Sequence, residues 1–76
     1  MEEKVDGRGN VYAEVSNIRI TLVPETWAGQ PGVRIQAYKE EGGLNPGPEI
    51  PLPTKKDAYD LIEAILRILS EIPYQD

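Results

Sequence analysis

The chain has 76 residues, with 13 acids against 8 bases for a net charge of −5, and it contains neither Cys nor His. A single domain of this size buries only about 60% of the surface its unfolded chain exposes, so it leans on disulfides, metals or a partner subunit. Lack of Cys and His excludes disulfides, the usual zinc sites and catalysis by imidazole or thiolate, which leaves self-association as the expected support.

Residues 1–10 are polar, hold Gly7 and Gly9, and read as a flexible tail ahead of one domain over 11–76. From Val11 the pattern has the period of a strand. Val11, Ala13 and Val15 alternate with Tyr12, Glu14 and Ser16, and beyond a bend near Asn17, Ile18, Ile20 and Leu22 alternate with Arg19, Thr21 and Val23. Residues 24–32 form a turn region with Pro31-Gly32 as its clearest signal. Val33, Ile35 and Ala37 then alternate with Arg34, Gln36 and Tyr38 as another half-buried strand. The loop over 39–49 carries Gly42-Gly43 and Asn45-Pro46-Gly47. Ile50-Pro51-Leu52 is a short strand that Pro51 confines to an edge.

One helix follows. Thr54 can cap it, and Thr54 with Asp57 resembles a capping box. Ala58, Leu61, Ile62, Ile65, Leu69 and Ile72 recur at the spacing of one helical face, and Pro73 ends the run. Leu66 and Ile68 widen that stripe on either side. A broad stripe fits a core face, but in so small a chain it better fits a face that packs partly on a second copy. In the second case Leu66, Ile68, Leu69 and Ile72 form the dimer interface.

Enzyme chemistry is poorly supplied. The helix carboxylates Asp57, Asp60 and Glu63 drift around its polar side and read as a solvated surface. Gly42-Gly43 lacks the form of a phosphate cradle, and no loop has the alternating acids of a calcium site. The expectation is a non-enzyme with no cofactor and no metal. A binding face is better supplied. Arg19, Thr21, Arg34, Gln36 and Tyr38 share the outward set of two strands, Lys39 lies just beyond, and Trp27 sits in the turn between them. Bases neutralise phosphates and aromatic rings stack on nucleobases. An exposed sheet face is polar in any case, so the same residues also fit plain solvation.

Charge is unevenly spread. Residues 1–14 sum to −2, residues 15–39 to +2 and residues 40–76 to −5. The strand segment is therefore the positive part of an acidic chain, and a two-fold dimer would double it. No apolar run approaches the roughly 18 residues of a membrane span. The charged start is unlike a signal peptide, and the lack of Cys suits a reducing compartment. A cytoplasmic protein without a membrane partner is expected.

The order of these elements, with Trp27-Ala28-Gly29-Gln30 before Val33-Arg34-Ile35-Gln36-Ala37-Tyr38 and Pro46-Gly47-Pro48-Glu49-Ile50-Pro51-Leu52 before the helix, resembles the single-stranded DNA-binding transcriptional coactivator family typified by positive cofactor four, whose fold the Whirly proteins share. The similarity runs from about Ile18 to about Leu69. It implies an α+β fold: a curved antiparallel four-stranded sheet backed by one C-terminal helix, assembled as a homodimer. It also implies single-strand binding along the sheet face, at Trp27, Gln30, Arg34, Gln36 and Tyr38, with Glu49 a further matching position. This chain departs from the family where Gln30 and Gln36 replace bases, where Pro48-Glu49 replaces a basic pair, and where Arg34 replaces an Asp. The expected function is weak binding of single-stranded DNA or RNA, as in a transcription or DNA-metabolism regulator, through Arg19, Trp27, Gln30, Arg34, Gln36, Tyr38 and Lys39. The alternative is a protein-interaction module of the same fold.

Overall fold

The computed structural model describes residues 1–74, so residues 75–76 of the expected domain lie outside the described residues. Five antiparallel strands form one sheet in chain order: β1 (Glu3–Val5), β2 (Val11–Val15), β3 (Ile18–Val23), β4 (Gly32–Ala37) and β5 (Glu49–Pro51). One helix, α1 (Lys55–Leu69), follows. The α+β class and the C-terminal helix agree with the sequence. The strand count does not, because the sheet has five strands and not four. The added strand is β1, which pairs Glu3 with Ala13 and Val5 with Val11. Three residues are too few to show a period. The Asp6 carboxylate accepts the backbone N–H groups of Arg8 and Asn10, each at 2.9 Å, and closes the turn into β2, while Lys4 pairs with Glu14 across the two strands.

A two-residue turn, Ser16-Asn17, joins β2 to β3, with Val15 and Ile18 as the closing pair. Ser16 has φ 56°, a left-handed conformation that such hairpins normally give to Gly or Asn. At the other side of the sheet Gly32 faces Pro51. A Cβ on Gly32 would overlap the Ile50 carbonyl oxygen, so only Gly lets β5 approach this closely. Pro51 does stand on an outer strand, where its missing N–H breaks no inner ladder.

The register sorts side chains by chemistry. Lys4, Tyr12, Thr21, Arg34 and Glu49 lie opposite one another across all five strands, and Glu14, Arg19 and Gln36 form the next row. All belong to one face. The other face carries Val5, Val11, Ala13, Val15, Ile18, Ile20, Leu22, Val33, Ile35, Ala37 and Ile50. The most buried spot belongs to the polar face. Thr21, Val23, Thr26 and Gly32 are buried there, under the loop 24–31 that reaches from β3 across β4 to β5.

The helix forms as its sequence requires. Thr54 Oγ1 accepts the Asp57 N–H at 3.2 Å, and the Asp57 carboxylate accepts the Thr54 N–H at 3.1 Å, a complete capping box. Ion pairs Lys56–Asp60 and Glu63–Arg67 lace its polar side. The expectation that α1 backs the sheet within one chain is not met. No residue of α1 is buried, and it makes no extended contact with any strand. Ala58, Leu61 and Leu69 are half-buried, whereas Tyr59, Ile62, Ile65, Leu66 and Ile68 are exposed, and Ile72 lies exposed past the helix end. The helix leaves the sheet after Leu52-Pro53, and only an open apolar groove of about 430 Å³ at its first turn, lined by Leu22, Val33, Leu52 and Ala58, marks where the two come together.

Candidate binding face

The polar sheet face brings most of the expected site residues together in two clusters. The first is built on β2, β3 and the end of β4. Arg19 Nε donates to the Tyr38 hydroxyl oxygen at 3.0 Å, and the Tyr38 hydroxyl donates to the Glu14 carboxylate. Lys4 Nζ donates to the other oxygen of Glu14 at 2.9 Å. The Arg19 guanidinium lies 4.1 Å above the Tyr12 ring centre and 5.4 Å from that of Tyr38, a cation held between two aromatic rings. Tyr38 occupies this place because its N–H bonds the Asn17 carbonyl at 2.8 Å and an isolated bridge ties it to Leu44.

The second cluster joins the loop 24–31, β4 and β5. Arg34 Nη2 donates to Glu49 Oε2 at 2.7 Å. The Trp27 backbone N–H donates to Glu49 Oε1 at 3.0 Å, and the indole Nε1–H donates to the Glu49 carbonyl at 3.0 Å. The ring is thus fixed by its edge while 76% of the residue stays exposed, leaving π surface open to solvent. Gln30 serves the loop through its backbone: its carbonyl accepts from the Thr26 N–H at 2.8 Å and from Thr26 Oγ1 at 2.7 Å.

Two expected residues stand apart. Gln36 shares the face but donates to the Asn45 carbonyl at 3.2 Å, which ties the loop 38–48 to β4. Lys39 lies in that loop, exposed, and forms no ion pair among the described residues. Tyr12, Glu14 and Lys4 join the face without having been assigned to it from sequence. For Tyr12 and Glu14 the signal was available, since they alternate with Val11, Ala13 and Val15.

The electrostatics follow from these contacts. Hydrogen bonds from Lys4 and then Tyr38 hold the Glu14 carboxyl below its usual value. The same Glu14 carboxylate raises Lys4 and Tyr38, and the Tyr38 hydroxyl raises Arg19. Lys4, Arg19 and Arg34 against Glu14 and Glu49 leave a net +1 on the face. Such a surface offers stacking and hydrogen bonds, with little unpaired charge. Among the described residues no group of three or more acids could hold a metal ion, and no helix is long and apolar enough to cross a membrane. Compared with known proteins, the chain matches no family model, no curated protein and no solved structure.

Proposed function

We propose that the chain is a non-catalytic binding module that works as a homodimer, burying its apolar surface between two copies and using its polar sheet faces to hold single-stranded nucleic acid. The observation that supports this reading is the segregation of chemistry between two sheet faces, of which the apolar one has no cover. The chain exposes 6153 Å², against about 4,700 Å² for a compact monomer of 8.5 kDa. The excess, roughly 1,500 Å² per chain, is what a permanent dimer interface removes. The radius of gyration, 13.8 Å, likewise exceeds the roughly 11 Å of a compact chain of this length. Leu66, Ile68, Leu69 and Ile72 belong to the surface that the second copy covers.

On the polar face, Trp27 and the Tyr12–Arg19–Tyr38 stack supply platforms for bases, and Arg19 and Lys39 supply phosphate contacts. Binding is weak and tolerant of sequence, because stacking needs only a π face. The resemblance of these residues to the single-stranded DNA-binding coactivators points the same way. Titrating a fluorescent oligothymidine into the full chain tests it. Trp27→Ala should lower affinity about tenfold, in line with about 1–3 kcal/mol per stacked base. No binding at low salt would sink the nucleic-acid function. Glu14 and Glu49, set among the bases of the face, favour a second reading in that event, a protein partner with mixed charge.

A further inference from the structure

We infer that Glu49 is an internal anion that occupies the place of a ligand phosphate between Arg34 and the Trp27 N–H, so that this end of the polar face takes bases and turns away the phosphodiester backbone. The inference rests on the single-strand-binding reading and names how that site chooses which part of the ligand it holds.

Both carboxylate oxygens of Glu49 are engaged by donors from different elements: Oε1 by the Trp27 backbone N–H at 3.0 Å and Oε2 by the Arg34 guanidinium at 2.7 Å. A guanidinium and a backbone N–H converging on two oxygens of one anion is an arrangement that also recognises phosphate. Here the anion is part of the chain. Arg34 and Glu49 are direct register partners on β4 and β5, so the carboxylate is delivered by the sheet itself. Its side chain is 25% exposed and that of Arg34 36%. An incoming phosphate would therefore compete with a tethered carboxylate, whose effective concentration is on the order of millimolar or above. It would also have to take over the Trp27 N–H from the carboxylate, while the indole stays bonded to the Glu49 main-chain carbonyl. A base stacking on the exposed indole meets neither obstacle.

The other end of the face differs. Arg19 is hydrogen-bonded to a neutral hydroxyl and forms no ion pair among the described residues, and neither does Lys39. The two ends thus differ: the Trp27 end takes bases alone, whereas the Tyr12–Arg19–Tyr38 end stacks bases and also leaves Arg19, with Lys39 in the adjoining loop, open to phosphates.

The test compares the native chain with Glu49→Ala and Glu49→Gln. Oligothymidine affinity is measured at about 50 and about 200 mM salt. Inorganic phosphate is titrated separately against the fluorescence of Trp27, the only Trp in the chain. Glu49→Ala should tighten oligothymidine binding about three- to tenfold at the lower salt. Each additional phosphate that the variant neutralises should raise the ratio of affinities between the two salts about 2.6-fold. Phosphate should perturb Trp27 emission in the variant and not in the native chain. If the native chain binds and neither variant differs from it in affinity, salt ratio or phosphate response, Glu49 is not a phosphate surrogate, although the single-strand reading stands. A native chain that fails to bind beside a variant that binds would support Glu49 as the blocking anion and end the single-strand reading for the native protein. Silence from every chain to both probes would overturn both. Should Glu49→Ala not fold, Glu49→Gln removes the charge at nearly constant shape and carries the same measurements.

Discussion

The two faces of the sheet solve opposite problems. On the polar face nearly every charged or hydroxyl-bearing side chain has found a partner within the same chain: Lys4 with Glu14, Glu14 with Tyr38, Tyr38 with Arg19, and Arg34 with Glu49. On the apolar face Val5, Val11, Val15 and Leu22 are exposed, and the helix that carries the longest apolar stripe stands away from them. The difference follows from reach. Hydrogen bonds and ion pairs can be satisfied between neighbouring strands, whose side chains lie about 5 Å apart. Burial of an apolar face needs a second layer, and 76 residues that form a five-stranded sheet leave only one helix to provide it. A polar face can be complete in one copy, whereas this apolar face lacks a second layer within the described chain.

The largest effect should come from placing a charge where the second layer must sit. Ile68 is 72% exposed in the single chain, so Ile68→Glu should change an isolated chain by no more than about 0.5 kcal/mol. In a dimer that covers it, losing two buried isoleucines costs at least about 3 kcal/mol, and burying two carboxylates costs more. Sedimentation equilibrium should show the native chain as a dimer and the variant as a monomer or an unfolded chain. A native monomer whose denaturation midpoint is independent of concentration would erase the contrast between the faces.

A smaller effect is expected on the polar face, because its groups remain near water. Tyr38→Phe removes the hydroxyl that links Arg19 to Glu14 and leaves the ring beside the guanidinium. The denaturation midpoint should fall by less than in Ile68→Glu, and the dimer should persist. A loss of the dimer would mean that the two faces are not independent.

Acid probes the same network at its edge. Asp6, lowered chiefly by the N–H groups of Asn10 and Arg8, and Glu14, lowered chiefly by Lys4, both have folded values below their unfolded ones. Their contribution is fully present above the unfolded values of about 3.9 and about 4.3, and it is lost as pH falls through the depressed folded values. Amide exchange in β1 should therefore quicken below about pH 4 relative to exchange in β3 and β4. Equal response of all the strands would show that β1 is not held by these two carboxylates.

How much of this was legible follows the range of each interaction. Period-two alternation is local, and it placed Arg19, Arg34 and Gln36 on one face and Ile20 and Ile35 on the other, as the register has them. The capping box of Thr54 and Asp57 spans one helical turn and was equally plain. β1 was hidden because Glu3-Lys4-Val5 has no period, and its anchor to β2 is a Lys4–Glu14 pair ten residues apart in sequence. The acidic departure at Glu49 stood out, but not its pairing with Arg34, which depends on how the loop 38–48 sets the register of β5. The stripe on α1 identified the side chains in need of cover. It carried nothing about whether cover comes from their own sheet.

The smallest expected effect lies in neither face, and for that reason it calibrates both. Ser16 holds φ 56° in the two-residue turn that sets the β2–β3 register, and that register decides which side chains meet on each face. A left-handed conformation costs an L residue about 1–2 kcal/mol, and Gly avoids that cost. Gly also loses more freedom on folding, which offsets about 0.4–1 kcal/mol of the gain. Ser16→Gly should therefore stabilise the sheet by about 0.5 kcal/mol net. Because no apolar side chain is touched, chemical denaturation should report the same increment at every protein concentration, while the midpoint itself moves with concentration as a dimer requires. An increment that grows with dilution would mean that the turn contributes to the assembly and not only to the strand pairing beneath it.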